Sequence, residues 1–132
     1  MKIARRANKY IVTLKLKNTC GSAGVEVPQL CVCDPYPALQ KPVKELKRFD
    51  LISLKPGHPS TVASLVDDIT LAHFDPCNGK WTPVPGKYVI LIGSSGRDIN
   101  LHDAIRSKSR IAGRRGKCRI SPDYACPWTT GQ

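Results

Sequence analysis

Long apolar runs are missing from this chain of 132 residues. No window reaches the roughly 18 consecutive apolar residues that a membrane-spanning helix requires, so no such helix is expected. The first nine residues are basic and lack an apolar core or a small-residue cleavage site, so they do not read as a signal peptide, and localisation is left open. Zinc-type spacing is missing as well. There is no C-x-x-C pair, and His58, His73 and His102 stand apart from one another, so neither a metal nor any other cofactor is expected. Acids are scarce, 10 against 21 Lys and Arg, and they are not arranged for catalysis. Bond cleavage by an acid and nucleophile pair needs two carboxylates about 5 to 5.5 Å apart beside a pocket. Asp67 and Asp68 are adjacent and would face opposite ways on a strand, while Glu26, Glu45, Asp50, Asp75 and Asp98 stand singly.

What is abundant is punctuation. Eleven prolines and ten glycines separate short apolar runs, which is the pattern of an all-β domain rather than a helical bundle. The length allows one domain and is enough to close a sandwich core. Six cysteines invite a disulfide framework, but the chain shows no secretory leader to support one. Cys31 and Cys33 share one face of a strand at a Cα spacing of about 6.5 to 7 Å, a poor fit to a mutual bridge. The net charge of +11 divides into +6 over residues 1–101, read as spread along the chain, and +5 over residues 102–132. Such diffuse charge reads as solvated surface and argues against a nucleic-acid partner.

Residues Tyr10 to Lys17 alternate with period two, which predicts a half-buried antiparallel strand. Asn18 to Gly24 is a turn. Val25 to Val32 predicts a second strand, with Pro28 at an edge or bulge because it has no N–H to donate. A proline-rich loop runs from Asp34 to Pro42. Lys44–Phe49 and Leu51–Leu54 predict one or two strands ending at the turn Lys55-Pro56-Gly57. Thr61–Val66 and Leu71–Phe74 follow, then the turn Asp75 to Gly79. Gly86–Gly93, with its continuous apolar run, predicts a central strand. The expected core is Val12, Leu14, Leu16, Val27, Leu30, Val32, Leu46, Phe49, Leu54, Val62, one of Val89 and Ile90, and one of Leu91 and Ile92.

The segments Asn18-Thr19, Glu26-Val27-Pro28-Gln29-Leu30, Pro42 to Phe49, Leu54-Lys55-Pro56-Gly57, Gly79-Lys80-Trp81 and Gly93 to Ile99 together resemble one module. It is the fibronectin type III-like domain at the C-terminal end of glycoside hydrolase family 3 enzymes, the β-glucosidases and their relatives. The resemblance covers residues 10–101, after a lead-in of residues 1–9, and leaves residues 102–132 as a basic tail expected to be disordered. It implies an immunoglobulin-like antiparallel β-sandwich without catalytic residues, since the family's nucleophile and acid/base lie in other domains. The implied partners are those catalytic domains, which the module braces. A surface that would face them leads to the expectation of self-association in the isolated chain.

Departures from the family pattern are Cys20, Pro28, Cys31, Cys33, Arg48 and His73. Arg48 replaces a glycine, which predicts local backbone strain there. Arg97 and Asp98 are read as a structural ion pair. Among the aromatics, Trp81 and Tyr88 are read as core, and Tyr36 as equally a loop contact. Tyr36 and Trp81 are the candidate carbohydrate or domain contacts. The alternative to a bracing module is a carbohydrate binder using these two, or a polyanion binder using the tail with Arg114, Arg115 and Lys117.

Overall fold

A computed structural model of the chain describes residues 1–34, 42, 44–75 and 79–108. Eleven strands and one short helix follow in order: β1 Lys2–Arg6, β2 Lys9–Lys17, β3 Gly24–Glu26, β4 Gln29–Cys33, β5 Glu45–Phe49, β6 Ile52–Leu54, β7 Pro59–Asp67, α1 Asp68–Leu71, β8 His73–Asp75, β9 Lys80–Thr82, β10 Gly86–Gly93 and β11 Ile99–Ser107. All the strand pairs are antiparallel. One sheet has the order β1-β2-β7 and the other β11-β10-β4-β5, while β3-β6 and β8-β9 form two-stranded ribbons. This is the expected all-β sandwich.

The period-two pattern of β2 explains the first layer. Tyr10, Val12 and Leu14 point inward and are buried, with Leu16 packed against them. They meet Leu30 and Val32 of β4, Val66 of β7, Leu71 of α1, Tyr88, Ile90 and Ile92 of β10, and Ile105 of β11 in one core. Each such side chain contributes about 1.5–3 kcal/mol when fully buried. The other face of β10 is buried too, since Val89 and Leu91 cluster with Cys31 and Cys33 and are joined by Ile99. Both members of each pair left open in the sequence are therefore buried, because β10 is covered on both faces.

Several expectations are corrected. The single strand expected over 25–32 is two strands in different sheets, β3 pairing with β6 and β4 with β10 and β5. Pro28, without an N–H, sits at the switch, where its carbonyl accepts from the Asp50 amide at 3.4 Å. Leu46 and Phe49 are not core but 52 % and 71 % exposed. A register shift between Leu30 and Cys31 leaves Lys47 as the extra residue of β5, so Leu46 opposite Cys31 and Phe49 opposite Gln29 both fall on the outer face. Val27 and Val62 are half-buried.

Arg48 carries no left-handed backbone: the non-glycine residue with positive φ among those described is Ala7, at 51° in the β1–β2 turn. Asp67 and Asp68 do not share a strand, because Asp67 ends β7 and caps α1. Residues 2–6 are a strand of the first sheet rather than a lead-in. The expected boundary at Leu101 falls inside β11, which pairs with β10 as far as Ser107. Cys33 is disulfide-bonded, whereas Cys20 and Cys31 are free thiols. The proline loop, the turn 76–78 and the tail from residue 109 lie outside the described residues.

Candidate functional site

Asn18 builds one end of the domain. Its amide donates to the carbonyls of Ser22 at 2.8 Å and Leu54 at 3.1 Å, while its side-chain oxygen accepts from the Cys20 amide at 2.9 Å. Its own carbonyl accepts from Gly57 at 2.9 Å, and Gly57 has the positive φ of 71° that a glycine adopts without strain. A depression of about 420 Å³ opens beside this knot, lined by residues from Lys17 to Glu26 and by Leu54. It offers Glu26 as its carboxylate, and that group accepts from the Val27 amide at 3.2 Å. One carboxylate is not the pair that glycosidic cleavage requires.

The other acids serve the fold. Glu45 pairs with Lys47 in a salt bridge. Asp67 accepts from the amide and hydroxyl of Thr70 at 2.8 and 2.6 Å, bonds that hold its carboxyl below the usual range. Asp68 accepts from Asn8 at 2.9 Å. Asp98 accepts from the Ser94 hydroxyl at 2.7 Å, so the hairpin end is tied by that bond rather than by a pair with Arg97. Among the described residues no group of three His, Cys, Asp or Glu is placed to hold a metal, and no helix is long and apolar enough to cross a membrane.

The aromatics divide. Tyr88 is core as expected: it is buried and donates its hydroxyl to the Val84 carbonyl at 2.8 Å. Burial, helped by the negative charges of Asp34, Asp68 and Glu45, pushes its phenol well above the usual range. A strand tyrosine bonded back to the backbone a few residues upstream is a device of immunoglobulin-like sandwiches. Trp81 is not core. It stands on β9, 67 % exposed, with its ring edge-on to Phe74 of β8 at a centroid distance of 5.9 Å. Tyr36, its expected companion, lies outside the described residues.

The second surface was not foreseen. On β5 the polar residues Glu45 and Lys47 are part-buried, and with Val32 and Tyr88 they line one small hollow. Leu46 and Phe49 project outward. Leu51 and Val25, 70 % and 60 % exposed, continue this edge where β4-β5 gives way to β3-β6. With Glu45 and Lys47 turned in and Leu46 and Phe49 out beside an exposed Arg48, this strand has the polarity of a buried interface more than of a free edge.

The family model for the fibronectin type III-like domain matches residues 26–96. The chain belongs to this family. Like the Fn3-like domain here, the thermostable β-glucosidase B of Acetivibrio thermocellus contains a matching stretch, 36 % identical over 104 residues. That stretch is 79 % of this chain and 14 % of the relative. The probable β-glucosidase H of Emericella nidulans is 39 % identical over 92 residues, 70 % of this chain and 11 % of the relative. Among solved structures, the β-glucosidase of Kluyveromyces marxianus in complex with glucose superposes with a TM-score of 0.77 at 28 % identity, over 82 % of this chain and 13 % of that one. The GH3 β-glucosidase of Bifidobacterium adolescentis gives 0.76 at 27 % identity, over 80 % of this chain and 16 % of that one. The Fn3-like domain thus spans about one seventh of the length of these relatives.

Proposed function

We propose that this Fn3-like domain is the bracing module of a β-glucosidase-type glycoside hydrolase and packs against that enzyme's catalytic domains. The observation that carries the reading is the inverted polarity of β5. Leu46 and Phe49, with Leu51 and Val25 beside them, form an apolar edge suited to cover by a neighbouring domain. The Phe74–Trp81 pair supplies a second apolar contact. Interdomain surfaces of this kind bury roughly 600 to 1,500 Å². In the isolated chain the same edge drives self-association.

The test is a graft. Residues 1–108 replace the matching stretch of the A. thermocellus β-glucosidase B, and thermal inactivation is followed on an aryl β-glucoside. The native graft is expected to hold the host's half-life. The Phe49→Ser/Leu51→Ser graft is expected to shorten it, while the same pair of changes makes the isolated chain sediment as a monomer. A host indifferent to the double change would overturn the reading. So would turnover by the isolated chain above a heat-killed control.

A further inference from the structure

The positive charge of residues 1–101 is not spread. Residues 1–25 hold six Lys and Arg and no acid, whereas residues 26–101 hold eight of each sign. Folding gathers most of that excess onto one surface. Paired residues of an antiparallel ladder share a face, and Tyr10, Val12 and Leu14 of β2 fill the core. The opposite face therefore carries Lys9, Ile11, Thr13, Lys15 and Lys17 of β2. Across the ladder stand Lys2, Ala4 and Arg6 of β1 and Thr61, Ala63, Leu65 and Asp67 of β7. Lys2, Arg6, Lys9, Lys15 and Lys17 are all exposed. The acid of this face, Asp67, stands opposite Lys9 and offsets one cation, so five cations stand against one acid.

We propose that this outward sheet face binds an anionic polysaccharide of the polyuronate type. The cations lie along its length, Arg6 and Lys9 at one end, Lys2 level with Thr13 at mid-strand, and Lys15 and Lys17 at the other end. Lys9 and Lys17 are about 27 Å apart along the strand, at about 3.4 Å per residue. Between them, beside Lys2, run Ala4, Ile11, Ala63 and Leu65 with the hydroxyls of Thr13 and Thr61. Carboxylates along an extended glycan match the cations, and the hydroxyls and C–H faces of its rings match the residues between. Other occupants fit less well. A second copy would set lysines against lysines. A nucleic acid would find no element shaped for a groove and no aromatic on this face for base stacking. The proposal rests on this face alone and is independent of the bracing role.

The experiment is affinity electrophoresis of the full chain in gels containing polygalacturonate, neutral dextran, or neither, with salt raised from about 50 to about 200 mM. Retardation by polygalacturonate alone, fading with salt, is expected. Lys2→Gln/Lys15→Gln/Lys17→Gln should weaken it roughly tenfold, as surface cations act through screened charge, while Arg114→Gln/Arg115→Gln/Lys117→Gln, which removes the same charge from the tail, should not. The single changes Lys15→Gln and Lys17→Gln should give partial losses, readable even if the triple variant folds poorly. The proposal fails if polygalacturonate does not retard the chain, or if the tail variant loses as much as the sheet variant. It also fails if duplex DNA or phosphatidylserine vesicles compete as well as polygalacturonate at equal charge.

Discussion

The hydroxyl of Tyr10 donates to the backbone carbonyl of Arg106, so a bond from β2 in one sheet reaches β11 in the other. One residue earlier, Ile105 is buried in the same core. These contacts make the segment after Leu101 part of the sandwich. Truncation after Leu101 is therefore expected to lower the urea midpoint sharply. The point changes should divide the effect, with Ile105→Ala costing about 2–5 kcal/mol and Tyr10→Phe about 1 kcal/mol. A chain ending at residue 101 with an unchanged midpoint would refute this account of β11.

Gly93 has no room for a side chain. A Cβ there would stand 2.0 Å from the Asp98 carbonyl oxygen, across the bulge that closes the β10–β11 hairpin. The obstacle is backbone and cannot rotate away. Gly93→Ala is expected to destabilise by about 1–3 kcal/mol or more, whereas Gly96→Ala, which meets open space, should change little. Paired denaturation curves of the two variants decide it.

The two free thiols among the described residues should differ in reactivity. Cys20 is exposed on the turn after β2, while Cys31 is buried in the second sheet. Burial pushes the Cys31 thiol up, against a smaller opposing pull from Lys44. A chromogenic disulfide reagent should therefore titrate Cys20 at once and Cys31 only on unfolding. Rapid loss of both thiols in the native chain would contradict the buried placement of Cys31.

The stability profile should fall at both ends of the pH scale for separate reasons. Asp67 titrates below its unfolded value, so its contribution is present above about pH 4 and is lost as pH falls through the lowered pKa. Tyr88 titrates above its unfolded value, so its contribution is present below about pH 10 and is lost as pH rises towards the raised pKa. Asp67→Asn keeps a helix cap and should flatten the acid limb, and Tyr88→Phe the alkaline limb. Urea midpoints measured across the range test both.

Much of this fold was legible in the residues, and the failures have physical causes. Asn18 and Gly57 were readable because turn chemistry is local. The alternation of β2 was readable because one of its faces is wet. The register of β10 was not, because both of its faces are buried and an apolar run carries no phase. On β5, Leu46 and Phe49 are three residues apart and share a face only because Lys47 is an extra residue in the ladder, a register shift that the pattern of β5 does not announce. Trp81 was placed inside on the tendency of aromatics to be buried, a tendency that a two-stranded ribbon at the domain's margin does not honour. The second half of β11 was hidden by its polar side chains. As an edge strand it needs few apolar groups beyond Ile105.

The place of β10 also orders events in time. Its hairpin with β11 closes over a short loop and can form early, and so can β1 with β2. Its pairing with β4, by contrast, joins Val89 to Cys33 across more than half a hundred intervening residues, and such distant partners meet slowly. During synthesis β4 leaves the ribosome long before the strand that will bury Cys31 and Cys33. For that interval both side chains face solvent, open to reagents that the closed sandwich will exclude.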